Sequence, residues 1–129
     1  MLIKIFKLAL IIMFCQTPLY SKSKTLNDFN SRNLSNYFSG IVAYENSDNS
    51  QALKFFKSSK HLIKKHDSYL ENYTYTLVLE GRIQQAISEI KQNSSKDNSN
   101  FFEAHLLLAI DSLKRKNYIK SKEHLQRAY

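Results

Sequence analysis

The side chains of this sequence best suited to chemistry are four histidines, His61, His66, His105 and His124, and a scatter of single carboxylates. No two of the histidines stand four residues apart, the spacing that sets a pair of imidazoles on one helix face as metal ligands. Their ordinary reading is therefore solvated or half-buried imidazole. Glu45, Glu71, Glu80, Glu89, Glu103 and Glu123 occur one at a time. No clustered carboxylate pair appears, and single ones read as helix-surface charge and caps. The one cysteine, Cys15, lies in an apolar N-terminal run. Beyond that run no thiol is left for a disulfide or a cysteine-ligated metal. There is no glycine-rich phosphate loop and no nucleophile elbow. The expectation is a chain without cofactor, metal or catalytic residues of its own; an enzyme reading would need a catalytic domain beyond Tyr129.

The elements that position these residues should be helices. Only two glycines, Gly40 and Gly81, and one proline, Pro18, occur in 129 residues, too few for the turns of a sandwich or barrel. The length suits one domain. The net charge of +8 includes Lys4, Lys7 and Lys22 near the N-terminus, and from Lys24 onward 16 basic residues face 11 acidic ones. That moderate excess suits a solvated helix surface better than a nucleic-acid interface.

Residues 1–23 read as an export signal. Lys4 and Lys7 precede the apolar run Leu8 to Phe14, followed by Pro18 and the small-residue stretch Ser21-Lys22-Ser23, the order of charged, apolar and cleavage regions in a signal peptide. The run is much shorter than the roughly 20 residues that span a bilayer. The expected location is the periplasm of a Gram-negative bacterium, with an uncleaved inner-membrane anchor as the other reading. Residues 24–33 read as a flexible polar linker.

From Leu34 the sequence resembles itself at a fixed period. Ala52, Ala86 and Ser121 are 34 and 35 residues apart, and four residues after each comes a large apolar side chain, Phe56, Ile90 or Leu125. Gly40, Thr74 and Ala109 keep step with them upstream. Small side chains at matched places let two antiparallel helices approach closely, and the large one fills the space beside the crossing. The intervening turns are Asn46-Ser47-Asp48-Asn49, Glu80-Gly81-Arg82 and Arg115-Lys116-Asn117, and Gly81 suits a left-handed helix end. Ser68 with Glu71 reads as a capping box, and Asn100 with Glu103 as a looser one. Leu70, Tyr73, Thr74 and Leu77 share one helical face, with Ile83, Ile87 and Ile90 on the partner helix. Leu108, Ala109, Leu113, Tyr118 and Leu125 repeat that pattern. One such stripe is too narrow to form a core, so each pair must stack on the next.

This pattern resembles the tetratricopeptide (TPR) repeat family, most closely in the stretches Leu79 to Ile87 and Lys116 to Ser121. The chain lacks tryptophan and the proline that often ends a unit, and has Thr74 and Ser121 in place of the family's usual glycine and alanine. The resemblance implies an all-α, right-handed α-solenoid of about three antiparallel helix-turn-helix units, near 34–65, 68–99 and 100–129, following the N-terminal signal helix. It implies a concave face lined by the first helix of each pair: Tyr37, Ile41, Tyr44, Glu71, Tyr75, Val78, Leu106, Ile110 and Leu113. The lysine–asparagine clamp that some members use for peptide C-termini is missing from these places. The expected function is an exported protein–protein interaction or scaffold module that takes a protein or peptide in an apolar, aromatic groove; the opposing reading is that these side chains pack between units. Two further readings stay open, a basic helical-repeat RNA-binding protein and the docking arm of a longer TPR protein or enzyme. The last helix has no polar cap after it, so continuation of the chain or self-association through that end is also expected.

Overall fold

The computed structural model describes residues 30–66, 68–93 and 99–128; the signal peptide 1–23 and residues 24–29 of the linker lie outside the described residues. The described chain is all-α, without strands. Six helices follow in order: α1 (Ser31–Glu45), α2 (Asn49–Ser58), α3 (Tyr69–Leu79), α4 (Ile83–Asn93), α5 (Phe102–Lys114) and α6 (Tyr118–Arg127), with a 3-10 segment at Lys60–Lys64 between α2 and α3. They fold as three hairpins, α1 on α2, α3 on α4 and α5 on α6, with α2 against α3 and α4 against α5. Helix α1 starts at Ser31, so residues 31–33 belong to it rather than to a linker. Asn30 starts it early, its side chain accepting the Arg32 amide at 2.9 Å.

The three hairpin turns are built alike. Ser47, Gly81 and Lys116 all take left-handed backbone, with φ of 62°, 71° and 58°. In each turn the following amide, of Asp48, Arg82 or Asn117, donates back to Ala43, Leu77 or Ser112 at 2.8–2.9 Å. Two bonds of this kind satisfy the last carbonyls of a helix. The expectation for Gly81 holds, and serine and lysine adopt the same conformation at the matching places. Asp48 and Asn117 then cap the next helix through the amides of Gln51 (3.2 Å) and Lys120 (3.1 Å).

Neither expected capping box forms. Ser68 already has helical backbone and makes no side-chain cap bond, because the reach to a downstream amide needs an extended residue at that place. Asn100 turns its carbonyl to His105 Nε2 at 2.8 Å, and Phe101 stands at the helix start.

Packing follows the small residues. Ala52, Ala86 and Ser121 are buried, as are Gly40, Thr74 and Ala109. The core forms two groups: an aromatic one around Tyr37, Phe56, Tyr69 and Tyr73 in the first two hairpins, and an aliphatic one of Ile87, Ile90, Ala104 and Leu108 further on, with Phe101 and Leu107 touching both. Tyr69 stacks on Tyr37 at 5.4 Å, meets Phe56 edge-on at 5.9 Å, and donates its hydroxyl to the Phe56 carbonyl. The apolar stripe is narrower than the sequence suggests, since Ile83, Leu113, Tyr118 and Leu125 are exposed. Glu89 is not surface charge: it is buried and receives Lys60 at 2.6 Å. Asp111 is likewise buried, bound by Lys91 at 2.6 Å and Arg115 at 3.1 Å.

Candidate partner-binding face

Helices α3 and α5 bring side chains to one cavity, and Tyr44 of α1 is near enough to Tyr75 to act on it electrostatically. On α3 the i, i+4, i+7 spacing of Glu71, Tyr75 and Val78 makes a row; on α5 Glu103, Leu106, Ile110 and Leu113 follow the same rule. Between them lies a small, nearly apolar cavity of about 130 Å³, lined by Thr74, Tyr75 and Val78 from α3 and Glu103, Leu106 and Leu107 from α5. Its wall on one side is the Tyr75 ring, whose hydroxyl is close enough to the Glu103 carboxylate to be influenced by it. Burial first, then the neighbouring Glu103 carboxylate, then the charge of Glu71, hold the Tyr75 hydroxyl well above its usual pKa, and Tyr44 of α1 adds to the effect. The hydroxyl is therefore a donor at any ordinary pH.

The nine residues expected on a concave face divide into three groups. Tyr37 is not on it: it is 1% exposed, stacked on Tyr69, 4.6 Å from the His66 ring, and accepts the Asn72 amide at 3.2 Å. Its ring is held in the core by Phe56 of α2 and Tyr69 of α3. Ile41, Tyr44 and Val78 are half-buried and pack on the aromatic core, so the packing reading holds for one side of each. Glu71 and Tyr75 are half-buried, while Leu106, Ile110 and Leu113 are 37%, 52% and 48% exposed. Leu106, Ile110 and Leu113 thus form an exposed apolar surface along one face of α5.

Glu103, which lies in that surface, was legible only as a cap; its neighbours come from a helix some thirty residues earlier, and no local spacing reveals them. A second cleft, lined by Ser35, Phe38, Val42, Asn46, Asp48 and Phe55, opens on a different face of α1 from Ile41 and Tyr44.

The histidines are partly brought together. His105 and His124, from α5 and α6, have ring centroids 5.8 Å apart. Burial, then the Arg127 charge, holds the His105 pKa below the usual imidazole value; for His124 the order is burial, His105, then Arg127. His61 and His66 lie elsewhere. Among the described residues no group of three or more His, Cys, Asp or Glu side chains gathers to hold a metal, and no helix is long and apolar enough to cross a membrane. No family model, no curated protein and no solved structure matches this chain.

Proposed function

We propose that this chain is an exported, TPR-like repeat protein, a right-handed α-solenoid of about three units, that holds a protein or peptide segment against the shared face of α1, α3 and α5 and performs no catalysis of its own. Two features support the repeat reading: the three turns take one backbone conformation at Ser47, Gly81 and Lys116, and buried small residues recur at one register. A core drawn out as two linked groups is what stacked hairpins produce, since each touches only its neighbours. Export to the periplasm rests on the order of charge and apolar residues in 1–23.

The observation that carries the binding reading is the row Tyr75, Val78, Leu106, Ile110 and Leu113, apolar and open beside a cavity too small for a metabolite but large enough for one aliphatic side chain. Selection of displayed peptides on the full chain tests it. Leu106→Asp and Ile110→Asp, both at exposed places, should leave helicity unchanged by circular dichroism and weaken selected peptides by about tenfold or more. Peptides that bind both variants as well as the native chain would place the surface elsewhere. Fusion of residues 1–23 to a reporter active only outside the cytoplasm tests export, and a silent reporter overturns that part.

A further inference from the structure

Charge is divided between the two kinds of helix. The second helices and the 3-10 segment carry Lys54, Lys57, Lys60, Lys64, Lys91, Lys120, Lys122 and Arg127 against Glu89 and Glu123. The first helices carry Glu45, Glu71, Glu103 and Asp111 against Arg32 and Lys114. On the row facing the cavity the difference is sharper, because Glu71 and Glu103 flank it and the nearest cation on the same face of α5, Lys114, is three turns from Glu103, about 16 Å along the helix. Arg32 falls on another side of α1 from Tyr44.

These two carboxylates also differ from the chain's buried ones. Glu89 and Asp111 are each neutralised by a lysine at 2.6 Å. Among the described residues Glu71 and Glu103 have no salt bridge, although both are half-buried and electrostatically felt by the same tyrosine. The neutral Tyr75 hydroxyl beside Glu103 does not cancel its charge. A chain with a net excess of lysine could have placed one here; leaving two carboxylates uncompensated beside apolar surface costs stability unless a cation from elsewhere arrives.

Resting on the binding reading above, we infer that the occupant of this face is a basic amphipathic segment of another protein, presenting a lysine or arginine to Glu71 and Glu103 and an aliphatic side chain to the cavity between Tyr75 and Leu106. The apolar contacts give affinity and the charge pair gives choice: a segment with an acidic residue at that place meets two carboxylates and is rejected. The basic second helices repel the same segment, so it is steered to one side of the molecule.

The test uses the full chain and three labelled peptides of one aliphatic pattern, differing only in Lys, Gln or Glu at the central polar places, with affinity read by fluorescence anisotropy. The Lys peptide should bind about tenfold tighter than the Gln peptide at about 50 mM salt, and the advantage should shrink several-fold at about 300 mM. Glu71→Gln with Glu103→Gln should abolish the advantage of the Lys peptide over the Gln peptide; Lys57→Gln with Lys64→Gln should not reduce it. Equal binding of the three peptides, all lost in Leu106→Asp, overturns the charge inference and keeps the binding face. Binding of any peptide that is indifferent to Leu106→Asp overturns both. Concentration-dependent self-association abolished by the double glutamine variant makes the occupant a second copy and overturns the inference of a separate partner.

Discussion

At the crossing of α1 and α2, a methyl group added to Gly40 would sit 2.9 Å from Phe56 Cε1, 3.0 Å from Cδ1 and 3.2 Å from Cζ. Carbon atoms prefer about 3.5–4.0 Å, and this ring cannot swing aside, being flanked by Tyr37 at 6.0 Å, Tyr69 at 5.9 Å and Tyr73 at 6.5 Å. Gly40→Ala therefore sets two effects against each other. Alanine favours the helix by about 1 kcal/mol over glycine, while overpacking a filled core costs about 1–3 kcal/mol. The clash should win by about 1 kcal/mol, lowering the melting temperature by about 4–8 °C for a domain of this size. In a Phe56→Leu background the ring is gone and the helix term is left alone, so the same substitution should stabilise by up to about 1 kcal/mol. The double variant then carries the Ala and Leu that stand at Ala109 and Leu125 in the third hairpin. Urea denaturation of the four proteins, followed by circular dichroism, measures the cycle. If Gly40→Ala has the same effect in both backgrounds within about 0.5 kcal/mol, close approach to Phe56 is not why glycine stands there, and the register argument built on small residues loses its best-defined case.

Three other outcomes are expected. Ser47→Gly and Lys116→Gly, which relieve left-handed backbone, should each stabilise by about 0.5–1 kcal/mol, and Gly81→Ala should destabilise by about 1 kcal/mol, all read by thermal melts; opposite signs would refute the shared turn geometry. Asp111→Asn, which removes the charge that holds Lys91 and Arg115, should cost about 1.5–3 kcal/mol in urea; a neutral result would mean the buried pair contributes nothing net. Stability should also fall on acidification in two stages. His105 and His124 have folded pKa values below the unfolded one, so the unfolded chain takes up protons first and their contribution, whole above about 6.5, is lost as pH drops through the folded values. The Asp111 pKa is lowered chiefly by the Lys91 hydrogen bond, so its contribution persists above the usual carboxylate range, about 3.9, and goes only below it. Melting temperatures across pH should show the first fall diminished in His124→Gln; an unchanged profile would exclude His124 as a source of it.

Helix positions, the hairpin turns and the small-residue register were legible because they depend on residues at most one hairpin apart. Ala52, Ala86 and Ser121 are buried as their spacing required, and Gly81 turns left-handed as its lack of a Cβ allows. Chain order alone could not say which way a given helix faces. The rotation of α1 about its axis decides whether Tyr37 lines a surface or stacks on Tyr69, and that rotation is set by aromatic packing against α2 and α3. The same holds for Glu89 and Asp111, whose burial follows from lysines 29 and 20 residues away, and for Tyr75 and Glu103, which belong to different hairpins. Local sequence determined where the chain bends and which stripes are apolar, since those are nearest-neighbour properties of the backbone. Only the stacking of hairpins decided which parts of each stripe stay in contact with water, because burial is a property of the whole arrangement.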